Sequence, residues 1–132
     1  MKKEMEKKLV ELSVLDSRMK ELEQALTLVE KNIAELQQSK QTLEEIKKLK
    51  KGNEMLSLVG FGIFAKTGLL DNEKVLINVG SNVVCKKSID EARKLIEKKL
   101  EQALSIYSQL FSEIERINEA IQKIESELSK AK

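Results

Sequence analysis

Two long apolar seams, with steps of 4 and 3 residues, govern what this chain can fold into. The first runs Leu12, Leu15, Met19, Leu22, Leu26, Val29, Ile33, Leu36. The second runs Ile89, Arg93, Ile96, Leu100, Ala103, Tyr107, Leu110, Ile114, Ile117, Ile121, Ile124, Leu128, Ala131, and only Arg93 in it is not apolar. Such spacing keeps one narrow stripe on one side of a helix, and a stripe of that kind is buried only against another helix. A stretch of different character separates the seams, so the chain can fold back on itself. The spacing predicts an antiparallel coiled-coil hairpin with both termini at one end.

Composition suits that reading. The 132 residues are 41% hydrophobic, 35% charged and only 3% aromatic, which fits long surface-charged helices better than a thick core. No proline is present to kink or stop either helix. The 24 basic and 22 acidic residues nearly balance, which argues against nucleic acid as a partner. No apolar run approaches the roughly 18 residues that span a bilayer. No secretory signal pattern opens the sequence, and Cys85, the single cysteine, has no internal disulfide partner. The cytoplasm is the expected location, and Cys85 reads as a small strand hydrophobe.

The coarse organisation is a helix over residues 1–51, a strand-like middle over 52–88 and a second helix over 89–132, together one domain. The first seam falters after Leu36, where Lys40 and Lys47 take apolar positions while Leu43, Ile46 and Leu49 continue with a shifted spacing. Gly52-Asn53 supplies a helix stop. In the middle, 55–59, 63–67, 74–79 and 83–87 read as strands, with turns at Gly60-Phe61-Gly62, Asp71-Asn72-Glu73 and Gly80-Ser81-Asn82. This makes two β-hairpins with crowded apolar residues and little core of their own, and therefore an assembly element. Ser88 and Glu91 form a capping box for the second helix.

No catalytic chemistry emerges. Histidine is absent, which removes the commonest general base and a major metal ligand. The Gly60-Phe61-Gly62 segment is too short for a phosphate loop and no helix follows it. No catalytic, metal or cofactor-binding residue is assigned, and no enzyme activity is expected. The basic runs Lys47–Lys51 and Lys86–Lys87 suit a solvated helix end. Apolar residues off the seam are more informative. Met5, Leu9, Val10 and Val14 gather near the N-terminal end, and Leu9 and Val10 occupy positions that normally face water.

Val59-Gly60-Phe61-Gly62-Ile63-Phe64, Val75 to Val83, and Lys87-Ser88-Ile89-Asp90-Glu91-Ala92 resemble the two hairpins and the start of the second helix in α-class prefoldin subunits. Where that family often carries Pro and a small residue, this chain has Leu58 and Phe61. The resemblance implies an α+β fold, a long antiparallel coiled-coil hairpin with two β-hairpins between the helices, that forms a barrel on oligomerisation. It implies a hexamer of two α-class and four β-class subunits. The implied activity is ATP-independent chaperoning: unfolded polypeptide captured at coiled-coil tips and held for transfer to a group II chaperonin. The expected client-binding set is Met1, Met5, Leu9, Val10, Leu12, Ile124 and Leu128. The expected oligomerisation set is Leu56, Leu58, Val59, Ile63, Phe64, Val75, Ile77, Val79 and Val83. The alternative is a purely structural coiled-coil scaffold or filament former, which shares the seams and needs no apolar tips.

Overall fold

The computed structural model describes residues 2–130. The order is α1 (Lys2–Lys48), β1 (Glu54–Gly60), β2 (Ile63–Gly68), β3 (Lys74–Gly80), β4 (Val83–Ser88) and α2 (Ile89–Lys130). Two compact units divide these elements: residues 2–34 with 101–130, and residues 35–100.

The first unit is a pair of antiparallel helical segments. Lys8 Nζ lies 3.2 Å from Glu127 Oε2, and Arg18 Nη2 lies 2.9 Å from Glu113 Oε1. The partner number falls as the α1 number rises, so the helices run in opposite directions. Between them Leu22, Ala103, Ile121 and Ile124 are buried, while Leu12, Leu15, Met19, Ile114, Ile117 and Leu128 are half-buried. The described residues of both seams are all partly or wholly removed from water, as the spacing predicts; Ala131 lies outside the described residues. Arg18 also donates to Glu21, and the two carboxylates hold its guanidinium pKa further above its ordinary value, Glu113 contributing most.

In the second unit the seam changes chemistry. Leu36, Ile89 and Ala92 are buried, Ala92 most completely at 1% exposure. Three positions in or beside the stripe carry cations instead. Lys40 Nζ lies 3.5 Å from Glu97, and Glu97 lies 3.8 Å from Arg93 Nε. Arg93 in turn lies 3.5 Å from Asp90, and Asp90 lies 3.1 Å from Lys47. The alternating chain Lys40–Glu97–Arg93–Asp90–Lys47 links α1 to α2 where apolar contacts thin out. Lys40 and Arg93 are half-buried, and the Arg93 Nε is buried without a hydrogen-bond partner.

Helix α1 ends at Lys48, three residues short of the expected 51. Side-chain amides on either side of the connection decide this. Asn53 Oδ1 accepts from the Lys50 N–H at 2.6 Å, and Asn72 Nδ2 donates to the Leu49 carbonyl at 2.9 Å. Gly52 takes φ 87° and donates to the Leu69 carbonyl, which extends the first hairpin's ladder to its base. Asp71 Oδ1 accepts from the N–H groups of Glu73 and Lys74 and closes the turn before β3.

The four strands form two separate two-stranded antiparallel sheets, β1–β2 and β3–β4, and β2 does not pair with β3. Both hairpins follow one plan. A bulge interrupts the register between Leu58 and Gly60 and between Asn78 and Gly80, and a two-residue turn follows. The turn residues, Phe61-Gly62 and Ser81-Asn82, all have positive φ, as a type I′ turn requires. The β3–β4 hairpin packs inward through Val75, Ile77 and Cys85, which are half-buried, while Leu76 and Val84 stay exposed. At the start of α2 the expected cap takes a modified form. The Ser88 hydroxyl accepts from the Glu91 N–H and also donates to the Glu91 carboxylate, while Ser88 itself pairs with Lys74 in the ladder.

Two measurements check this account. Ile77→Ala is expected to lower unfolding free energy by about 1–2 kcal/mol, below the range for a fully buried site. Leu76→Ala, one residue away on the exposed face, should stay within about 0.5 kcal/mol of wild type. Equal costs in urea titrations would mean that β3 does not face the helices. The second concerns pH. Backbone donors hold the Asp71 carboxyl below its usual pKa, and Lys47 does the same for Asp90. A carboxylate with a depressed folded pKa contributes stability above its unfolded value of about 3.9, and loses it as pH falls through the folded value. The thermal midpoint should therefore be insensitive to these two groups from about pH 5 to 8 and fall on further acidification. Asp71→Ala should lower the plateau and shrink that fall; an unchanged acid limb would contradict the assignment.

Candidate functional site

Among the described residues, no group of three Asp, Glu, His or Cys side chains could hold a metal. No helix in the described residues is long and apolar enough to cross a membrane. Apart from exposed Leu28, Leu104, Ile106 and Phe111 along the helices, the structure offers two groups of apolar surface as candidate sites.

The first lies in the unit of paired helix ends. Every third or fourth residue of α1 turns toward α2, so residues between them turn outward. Leu9 and Val10 are 53% and 63% exposed. Val14, one turn beyond Val10, is as exposed as Val10 and shares its side of the helix. Charged neighbours Lys3, Glu4, Glu6, Lys7 and Glu11 surround Val10 and line a shallow groove with it. The other expected members fall differently. Leu12 and Leu128 are half-buried, and Ile124 is buried. Leu12, Ile124 and Leu128 carry the spacing of the seam, and Met5, expected off the seam, is half-buried as well. Met1 lies outside the described residues.

The second surface lies on the hairpins. In β1–β2, Leu58 pairs with Phe64 and Leu56 with Lys66, and alternation sends all four to one face. Leu56, Leu58 and Phe64 are well exposed there, and Val59 and Ile63 are exposed beside the bulge. The opposite face carries half-buried Met55, Ser57 and Ala65, with a 2.7 Å hydrogen bond between the hydroxyls of Ser57 and Thr67. On β3–β4, Val79 and Val83 are exposed as expected. Val75 and Ile77 are half-buried and line an open groove with residues of α1 and α2. Strand alternation then puts Leu76 and Val84 outside, two residues the sequence reading did not include. Leu70 and Phe61, also passed over, are nearly and fully bare. The run Val75-Leu76-Ile77 is apolar on both faces, so its pattern alone gives no sign of which face the helices take. Each strand pairs on one edge only, which leaves four unpaired strand edges.

Comparison with known proteins adds to this geometry. The family model described as Prefoldin subunit matches residues 15–132. "Prefoldin subunit alpha" of Thermofilum pendens is 30% identical over 89% of this chain and 92% of its own length. "Prefoldin subunit alpha" of Pyrococcus horikoshii is 37% identical over 76% of this chain and 68% of its own. Among solved structures, a filamentous PFD from Methanocaldococcus jannaschii superposes with a TM-score of 0.73 at 25% identity, covering 87% of this chain and 95% of that one. The prefoldin beta subunit from Thermococcus strain KS-1 shares the fold, with a TM-score of 0.65 at 16% identity over 97% and 91% of the two chains. Two long helices joined by paired β-hairpins, a family match over most of the length and relatives named for the α subunit lead to one conclusion: this chain belongs to the prefoldin family of chaperones.

Proposed function

We propose that this chain is a subunit of an ATP-independent holding chaperone. It joins other prefoldin subunits through its hairpins, and it binds unfolded polypeptide at the paired helix ends for transfer to a chaperonin. The observation that carries the reading is the exposure of Leu9 and Val10, with Val14 close by, next to a seam that is already satisfied. A lone exposed leucine needs no explanation. Three exposed apolar residues within two turns form a surface that folding does not require. Each offers about 1–2 kcal/mol to an apolar segment of a non-native chain. One set of helix ends thus binds weakly and reversibly, and several in one assembly retain a client through effective concentration. Met1, Met5, Leu12, Ile124 and Leu128 complete the proposed site.

Assembly is the second half of the proposal. An isolated two-stranded hairpin is marginal in water, and this chain has two, with free edges and bare Leu56, Leu58, Val59, Ile63, Phe64, Val79 and Val83. Pairing of those edges between subunits, in a barrel, would satisfy both needs. Val75 and Ile77 support such an interface from beneath. The first form proposed is a hexamer of two α-class and four β-class subunits in the cytoplasm. The similarity to a filamentous prefoldin favours a second form, built from copies of this chain. Native mass spectrometry of the chain, alone and with a β-class subunit, separates the two.

Leu9→Ser with Val10→Ser should reduce client retention severalfold in a light-scattering assay, with helix content and oligomer mass unchanged and no effect of ATP. Wild-type protection by this variant would place the client site elsewhere. Leu56→Lys with Leu58→Lys should abolish oligomers while helical circular dichroism persists. An unchanged oligomer mass would rule out the first hairpin as an assembly surface.

A further inference from the structure

Two features of residues 35–100 have no role within the single chain. The first is Phe61, which shares the turn of the β1–β2 hairpin with Gly62. Its backbone lies in the left-handed region at φ 48°, and its side chain is fully exposed. Type I′ turns favour Asn-Gly at these two positions, and a bulky residue at positive φ is an outlier. An aromatic here works against its own hairpin and touches nothing in return. The second is an open groove of about 370 Å³ between α1, α2 and β3. Apolar Leu43, Val75, Leu76, Ile77, Ala92 and Ile96 line it together with polar, uncharged Gln38, Ser39 and Thr42. In a chain that is 35% charged, no charged residue lines this groove. Aliphatic cavities of about 150 Å³ take up a benzene ring, so a phenyl group has room. Phe61 does not fill its own chain's groove, because it is bare.

We propose that Phe61 of one copy seats in this groove of a second copy. The inference rests on the reading that the hairpins are assembly surfaces, and it names one contact and its occupant. The absence of charge in the groove selects an apolar guest, and the same chain presents a bare phenyl group. The area is sufficient. A buried aromatic removes about 150–250 Å² from water, and exposed Leu56, Leu58, Val59, Ile63 and Phe64 accompany Phe61 on the same hairpin. Together they approach the roughly 800 Å² per partner of a standard interface. Knob and groove are different surfaces of one chain, so the contact is head-to-tail, and it either closes a ring or propagates.

The test uses the full-length chain. Phe61→Asn creates the preferred turn pair, so its thermal midpoint should equal or exceed that of wild type. Its self-association in sedimentation velocity should nevertheless weaken at least tenfold. Thr42→Trp, which crowds the groove from an exposed position, should weaken self-association in the same way. In a Cys85→Ser background, Phe61→Cys with Ser39→Cys should form disulfides between isotopically light and heavy copies. Three results would each overturn the proposal: wild-type self-association by Phe61→Asn, disulfides confined to single chains, or a wild-type chain that stays monomeric unless another prefoldin subunit is added. The pair Leu56→Lys and Leu58→Lys separates the two levels. If it abolishes assembly while Phe61→Asn does not, hairpin-driven assembly stands and this contact fails; if neither changes assembly, both fail.

Discussion

A helix of 47 residues with a narrow apolar stripe cannot remain alone in water. That constraint sets the rest of the molecule. It requires a second helix of comparable length, supplied by the 42 residues of α2. It requires the chain to reverse between them, and a reversal must satisfy the backbone groups it frees at both helix ends. Asn53, Asn72, Asp71 and Ser88 do this with side-chain hydrogen bonds, each to a backbone group within the connection or next to it. The hairpins are what the reversal leaves over. They are held at their bases, and on most of their faces nothing in the single chain covers them.

The seam does not use one chemistry throughout. Near Leu22, Ile121 and Ile124 it is apolar. Around Lys40, Arg93 and Lys47 it becomes a row of alternating charges at the edge of solvent. Exposed ion pairs contribute little stability, each typically under about 1 kcal/mol. Their effect is better understood as selection of register. A slip of one heptad would bring Lys40 and Arg93 out of reach of Glu97 and Asp90 and leave charge beside apolar side chains, whereas a slip in a purely apolar seam changes little. Fixed register matters beside the hairpins, where Ala92 is buried at 1% exposure.

Much of this was legible in the sequence, for identifiable reasons. Period alone picks out both seams, and alternation between glycine-marked turns picks out the four strands. The position of each hairpin turn follows from Gly60 and Gly80, whereas the bulge before each turn shows only in the strand register. The sequence was less informative wherever two faces had similar chemistry. Val75-Leu76-Ile77 is apolar on both sides, so alternation does not tell which side meets the helices. Ile124 and Leu128 carry seam spacing close to the helix ends, so period alone does not separate seam from helix-end surface. Ala92, the most buried residue, is too small to give a strong hydrophobic signal. Phe61 was read as part of a turn because its glycines dominate the local pattern. The end of α1 depended on Asn53 and Asn72, one of which lies more than twenty residues away.

The pairing of Lys47 with Asp90 spans 43 residues, whereas that of Arg18 with Glu113 spans 95. Closing the longer loop first would cost about 0.7 kcal/mol more in chain entropy. Once the shorter one is closed, each further turn adds only a few residues to it. Loop entropy therefore favours pairing that begins beside the hairpins and reaches the turns around Lys8 and Glu127 last. Opening of those turns exposes Met5, Leu12, Ile124 and Leu128, which are half-buried or buried in the closed form. Those residues seal the coiled coil while it is closed, and each turn that opens returns apolar area to water.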